Sequence, residues 1–274
     1  MALYNPARHR SHAFAYGGHD PGTCCRRYAS WTFWILGYPA RGFEQSLGAL
    51  RLAEELAHAE SLIMAHAWAC LFRTLQHDVD AVDEHRRALN TAGNEHGSPR
   101  WHAVAAIYEG WIRAQRGEGI AAVARIRHGL EARGWSAGHF MHHYFRSLLA
   151  DACLRAGQPA EGLRVIDEAL GRARATGQVV WEPEFLRLQG ELRLAARADV
   201  AGALECFRRA IDVARRQQAR SWELRTASSL ARLLAAEGRR DEARRALTEI
   251  YHWFTEGFDT ADLREAKALL EAIA

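Results

Sequence analysis

The residues best suited to chemistry in this chain are its histidines and carboxylates. His139, His142 and His143 lie together in GHFMHHYF. Positions 139 and 143 fall one helical turn apart, a spacing at which two imidazoles can share a metal. A helical pair of this kind needs further ligands, and none is close in sequence, with Asp151 the one carboxylate able to approach. Histidines facing a groove are the plainer reading. His19-Asp20 and His77-Asp78 are similar to the paired ligands of metal phosphohydrolases, but companion His and Asp residues at workable spacing are missing. Asp20 and Asp78 each stand at a helix start, where a carboxylate accepts the free N–H groups of the first turn, and capping accounts for both. Asp78, Asp80 and Asp83 lack the Gly and terminal Glu of a calcium loop. Neither H-E-x-x-H nor G-x-G-x-x-G occurs. The single lysine, Lys267, sits in a C-terminal helical stretch and not in a Gly-rich turn, which excludes a phosphate-cradling P-loop. The expectation is a protein that is not an enzyme and carries no catalytic residue, metal or cofactor.

Positioning is therefore the question, and it is answered by a repeat. From Gly202 to Tyr251 the sequence reads helix, turn, helix, turn, helix. Ala203, Phe207 and Ala210 share one helical face at i, i+4 and i+7, and Ala243, Leu247 and Ile250 do the same in the next cycle. The same grammar recurs upstream at a period of about 40 residues, in the range of helical solenoids: Gly162-Ile166-Ala169, Ala122-Ile126-Gly129, Ala81-His85-Ala88 and Gly42-Ser46-Ala49. Each set follows a partner helix with a small residue at a matching place, namely Ser30, Ala69, Gly110, Ala150, Gly190 and Ala231. Small residues let two helix backbones approach, and a larger neighbour fills the groove beside them. The fold class expected is all-α: a right-handed α-solenoid of about six antiparallel helix pairs. Residues 1–19 read as an irregular lead-in, 20–257 as the solenoid and 258–274 as a C-terminal capping helix with a charged outer face. The fifth repeat carries one extra residue near Asp199, and no comparable polar cap precedes the first.

In stacked helix pairs the first helix of each pair lines the concave face. Residues one helical step from the small reference positions should then point inward. These are Arg27, Trp31 and Trp34 from the first pair, His66 and Arg73 from the second, Ile107 and Trp111 from the third, and Tyr144 and Asp151 from the fourth. Glu184, Arg187 and Glu191 follow from the fifth pair, with Arg225 and Arg232 from the last. Trp and Arg on one wall are residue types that dominate binding hot spots, although core packing explains a tryptophan, and mutual pairing an arginine, equally well.

Composition narrows the classes. A chain of 274 residues, 49% hydrophobic, can bury a large apolar surface in a single solenoid. Its 36 basic and 33 acidic residues leave a formal charge of +3, without the basic bias of a nucleic-acid binder. Cys24, Cys25, Cys70, Cys153 and Cys206 are odd in number and scattered, with no C-x-x-C pair, and four of them fall on expected helix faces, which suits buried thiols in a reducing cytoplasm. The start has no apolar run of a secretion signal, and the stretch from Trp31 to Tyr38 is too short to cross a bilayer. No nucleic acid and no membrane is expected as a partner.

Five segments carry a likeness to a known family: YGGHDPG (Tyr16–Gly22), LGYPARGFEQS (Leu36–Ser46), LRLQGEL (Leu186–Leu192), CFRRAIDVARRQQARSWELRTASSLARL (Cys206–Leu233) and YHWFTEGFDTADLREAKALL (Tyr251–Leu270). They resemble the C-terminal tetratricopeptide-type region of bacterial multidomain regulators, which join a class III nucleotide cyclase domain, a P-loop ATPase module and a helical array. The resemblance implies a regulatory array and transfers no catalytic residue. In the family the array follows other domains, so the chain reads either as an excised domain or as a stand-alone protein. The period also exceeds the roughly 34 residues of the standard unit, implying longer helices.

Three functions follow as expectations. The first is a scaffold holding a peptide or a partner-protein segment in its concave groove. The second is a small-molecule sensor coupled to a cyclase or ATPase partner, which requires a closed pocket in place of an open groove. The third is an enzyme using His139, His142 or His143 with Asp151, which requires bound metal. An apolar end at the first repeat would also permit self-association into a homo-oligomer.

Overall fold

The computed structural model describes residues 3–9, 11–15, 18–95, 97–134 and 140–274. These residues form helices and connecting turns, with no strand among them. The expected lead-in holds two one-turn helices, α1 (Pro6–His9) and α2 (His12–Ala15). Six pairs follow: α3 (Pro21–Ile35) with α4 (Pro39–Leu56), α5 (Ala59–Leu75) with α6 (Val79–Glu95), α7 (Pro99–Gln115) with α8 (Gly119–Arg133), α9 (Phe140–Arg155) with α10 (Pro159–Thr176), α11 (Glu182–Arg197) with α12 (Val200–Arg216), and α13 (Arg220–Ala236) with α14 (Arg240–Tyr251). A 3-10 turn, Val179–Trp181, precedes α11, and α15 (Ala261–Ala272) ends the chain. The sixth pair stops at Tyr251, a little before the boundary near Glu256 that the sequence pattern implies.

Local signals explain the helix starts. Asp20 accepts from the Thr23 amide at 2.8 Å and Asp78 from the Ala81 amide at 3.2 Å, so both carboxylates act as caps. Proline opens α3, α4, α7 and α10, where its missing N–H would be unused in any case. The ends share one device. A residue with positive φ closes nearly every helix, at positions 37, 57, 77, 97 and 117, then 157, 177, 198, 218 and 238. The interval is about twenty residues, half the repeat, with 21 between 177 and 198 and with Gly134 closing α8 out of step. Glycine takes this left-handed place most often, but Ala57, His77, Ala198 and Gln218 hold it in four turns.

Packing follows the small-against-large rule. A Cβ on Gly110 would collide with Ile126, one on Gly190 with Phe207, and one on Gly162 with Leu192. Ser30, Ala69, Ala150 and Ala231 are buried at the equivalent places. Each helix packs on the next, and the first helices of successive pairs also touch one another, forming an inner layer. That layer closes: α13 reaches α3. The Ser221 hydroxyl donates to the Trp34 carbonyl at 2.5 Å, Trp34 meets Trp222 edge to face at 4.7 Å, and Arg41 pairs with Glu256 at 3.4 Å. The first pair is thus bound to the sixth. The lead-in covers the opening of α3, with the Tyr4 ring over Gly22 and its hydroxyl donating to Asp20 at 2.5 Å. No helix among the described residues is long and apolar enough to cross a membrane.

Candidate functional site

Closure of the inner layer leaves a cavity of about 40 Å³ at the centre. A buried water needs at least about 10–15 Å³, so the space as formed holds a few waters. Its wall comes from five successive pairs: Thr74, Leu75 and His77 at the end of α5, Trp111 on α7, and Tyr144, Ser147, Leu148 and Asp151 on α9. Trp181, Glu184 and Arg187 follow at the start and middle of the fifth pair, with Trp222 and Arg225 on α13. Every contributing helix is the first of its pair.

The structure therefore brings together Trp111, Tyr144, Asp151, Glu184, Arg187 and Arg225 from the inward-facing set expected of the sequence. Trp34 and Trp31 lie behind this wall, Trp34 against Trp222 and Trp31 stacked on Trp181 at 5.7 Å. Glu191 supports the wall by pairing with Arg187 at 3.6 Å. Others lie elsewhere. Arg27 is buried over the Trp68 ring, and burial lowers its guanidinium pKa. Arg73 pairs with Asp78 and covers the Phe43 ring, His66 faces His85, and Arg232 reaches Glu265 on α15. Ile107 does not point inward as expected. It packs under Gly129 in the α7–α8 interface, because the close approach there needs a branched side chain to fill the groove. Of the histidine cluster, His139 lies outside the described residues. His142 and His143 are buried on α9, while Asp151 turns to Arg155 at 2.9 Å and Gln115 at 3.3 Å, away from any shared site with them. Among the described residues no group of three or more His, Cys, Asp or Glu side chains is placed to hold a metal.

Two ion pairs set the electrostatics. Arg187 donates to both oxygens of Glu184 at 2.8 Å. Burial works against its charge, but Glu184, with Glu191 and Asp151 behind it, outweighs burial and raises the guanidinium pKa. Arg225 donates to Asp262 on α15 at 3.0 and 2.6 Å and to the Leu75 carbonyl at 2.7 Å. It also sits over the Trp34 and Trp222 rings, 5.0 and 5.2 Å from their centroids. Burial again opposes its charge, and Asp262 followed by Glu184 prevails, so this pKa too is raised. One side chain thus joins α3, α5, α13 and α15 at the seam. The buried indole N–H groups of Trp181 and Trp222 find no hydrogen-bond partner among the described residues, whereas the Tyr144 hydroxyl lies against Thr74 and Tyr108.

Sequence reasoning missed Trp181, Trp222, Thr74, His77 and Ser147. Trp222 precedes Arg225 by three positions and shares its helical face, a signal that was present. Trp181 lies in a 3-10 turn outside the repeat register, where no periodic pattern points to it.

No protein-family model matches the chain. An uncharacterized protein of Rhizobium meliloti (strain 1021) is 24% identical to it over 242 residues, which is 87% of this chain and 23% of that protein. The chain therefore spans about a quarter of the length of the curated relative it matches, and that relative's name carries no activity across to it.

Proposed function

We propose that the chain is a non-enzymatic regulatory module, a right-handed tetratricopeptide-like array that senses a small polar molecule at its centre and relays occupancy to a partner. The resemblance set out above makes a nucleotide cyclase or ATPase module the kind of partner to test. One observation carries the reading: the residues that line the cavity also tie the two ends of the array. An occupant larger than a few waters must move Arg225, Trp222 or Trp181, and each of these touches the seam between the first and last pairs. Binding energy is then necessarily differential between a clasped and a shifted state, which is the thermodynamic requirement for a sensor. The buried indole N–H groups of Trp181 and Trp222 favour a ligand presenting acceptor oxygens.

The peptide-groove reading is less well supported at the centre. Trp34, Tyr144, Trp181 and Trp222 are each at most 2% exposed and fill the space an extended backbone would occupy.

Thermal shift against a panel of amino acids, carboxylates, nucleotides and sugars tests the proposal. A ligand at 100 times its Kd contributes about 2.7 kcal/mol, which raises Tm by roughly 5–10 °C for a chain of this size. Arg187→Met should abolish the shift. A panel in which no compound raises Tm, or in which Arg187→Met responds like wild type, removes the central pocket as the sensing site.

A further inference from the structure

The second helix pair contains a feature that its neighbour lacks. His66 on α5 and His85 on α6 face each other across the interhelical seam with their Nδ1 atoms 3.3 Å apart and ring centroids 5.4 Å apart. The repeat places these two residues where the third pair has Ile107 and Ile126, each 41 positions further on. Both of those isoleucines are fully buried. An apolar pair at this place packs the helices with no polar group to satisfy. The second pair instead sets two half-buried imidazoles against one another, and two neutral rings can share only a single N–H···N contact.

We propose that His66 and His85 form a binding site for a divalent transition metal of the zinc class, bridging α5 and α6. The bite is right. With Zn–N bonds of about 2.0–2.1 Å and tetrahedral angles, two coordinating nitrogens stand about 3.3–3.4 Å apart, and the two Nδ1 atoms already hold that separation. Imidazole nitrogen is a ligand that suits zinc, nickel and copper alike. Both rings are half-buried at the seam, and the neutral imidazole is the form that ligates a metal. Among the described residues no third ligand is in place. Water completes the sphere, and the exposed carboxylates of Glu54 and Glu84 are near enough for their charge to act on His66. Arg73, whose charge acts on His85, is already paired with Asp78 at 3.2 Å. Cys70, one turn beyond His66, is not a ligand: its thiol is directed to the Val82 carbonyl and burial raises its pKa well above the ordinary thiol range. The site is separate from the central cavity. His66 precedes Thr74, the first α5 residue of that wall, by eight positions, about 12 Å along the helix.

Calorimetric titration of the full chain with zinc chloride, after chelator treatment, tests the assignment. Wild type should bind one equivalent with micromolar Kd and gain melting temperature. His66→Gln and His85→Gln each remove one of the two protein ligands and should weaken binding by about 100-fold or more, beyond what loss of an outer-shell partner costs, and His102→Gln, in the third pair, should leave it unchanged. The double variant His66→Ile/His85→Ile imports the side chains of the third pair, so it should fold, melt higher than metal-free wild type and ignore zinc. Zinc K-edge absorption of loaded wild type should show two imidazole scatterers, a result that requires no variant. Equal zinc affinity in wild type and the double isoleucine variant, no binding by wild type in the micromolar range, or an edge spectrum with fewer than two imidazoles would each overturn the proposal.

Discussion

Replacing Arg225 by methionine is the sharpest test of how the array is held shut. The substitution removes two hydrogen bonds to Asp262 and one to the Leu75 carbonyl, and it lifts a cation from two tryptophan faces. It also leaves the Asp262 side chain, 15% exposed, without its guanidinium. Breaking one side of a buried pair is worth about 3–5 kcal/mol, and the cation–π contacts add about 0.5–2 kcal/mol. Burial and then Arg225 hold His77 below the usual histidine range; with Arg225 gone, its Nε2, 4.0 Å from Asp262, can protonate against the stranded carboxylate, which brings the expected loss to about 4 kcal/mol. At 2–4 °C per kcal/mol for a chain of this length, Tm should fall by about 8–16 °C. Scanning calorimetry measures this directly. Hydrogen exchange should place the added opening in α3, α13 and α15. The companion variant Arg225→Met/Asp262→Leu removes both charges together and should recover more than half of the loss. A loss below about 1 kcal/mol, or a double variant no better than the single, refutes the view that this pair clasps the array.

Three further outcomes follow from the same structure. Burial pushes the Asp262 carboxyl pKa up, but Arg225 and then His77 outweigh it and hold the value below the ordinary carboxylate range; a depressed folded value means stability present at neutral pH that is lost as pH falls below about 4, and Asp262→Asn should flatten that part of the Tm–pH curve. Gly110→Ala would put a methyl group 2.9 Å from the Ala122 carbonyl and the Ile126 amide, neither of which can swing aside, so it should lose about 1–3 kcal/mol. Gly171→Ala meets nothing within 4 Å and should gain about 0.5–1 kcal/mol; urea midpoints in the opposite order would contradict the packing rule used throughout. Ala198 closes α11 at φ 49°, and Ala198→Gly should raise the urea midpoint by an amount equivalent to about 0.5 kcal/mol or more, because relief of the left-handed penalty exceeds the added backbone entropy.

The helical pairs were legible because small residues mark close approaches whatever surrounds them: Gly110 against Ile126 and Gly190 against Phe207 are visible as spacing alone. The twenty-residue beat of the turns was harder to see. Its left-handed position is filled by Ala57, His77, Ala198 and Gln218 in four places, and none of these reads as a turn by residue type. The inward direction of the first helices was also readable, which is how Trp111, Tyr144, Asp151, Arg187 and Arg225 could be named. One register position nevertheless serves two purposes. Ser147 faces the cavity while its equivalent Ile107 fills an interhelical groove, and the difference lies in the neighbouring Gly129. Trp34 and Trp222 meet only because curvature accumulates over six pairs, a sum that no single repeat records.

The grip of the last pair on the first sets the number of units. An open solenoid tolerates gain or loss of one unit, since every unit meets only its sequence neighbours. Here, deleting the third pair would move Trp222 and Ser221 away from Trp34, and inserting a copy would carry them past it. Variation in such a chain is channelled into loops and outward faces, and its copy number behaves as a fixed property of the molecule, like the strand number of a closed barrel.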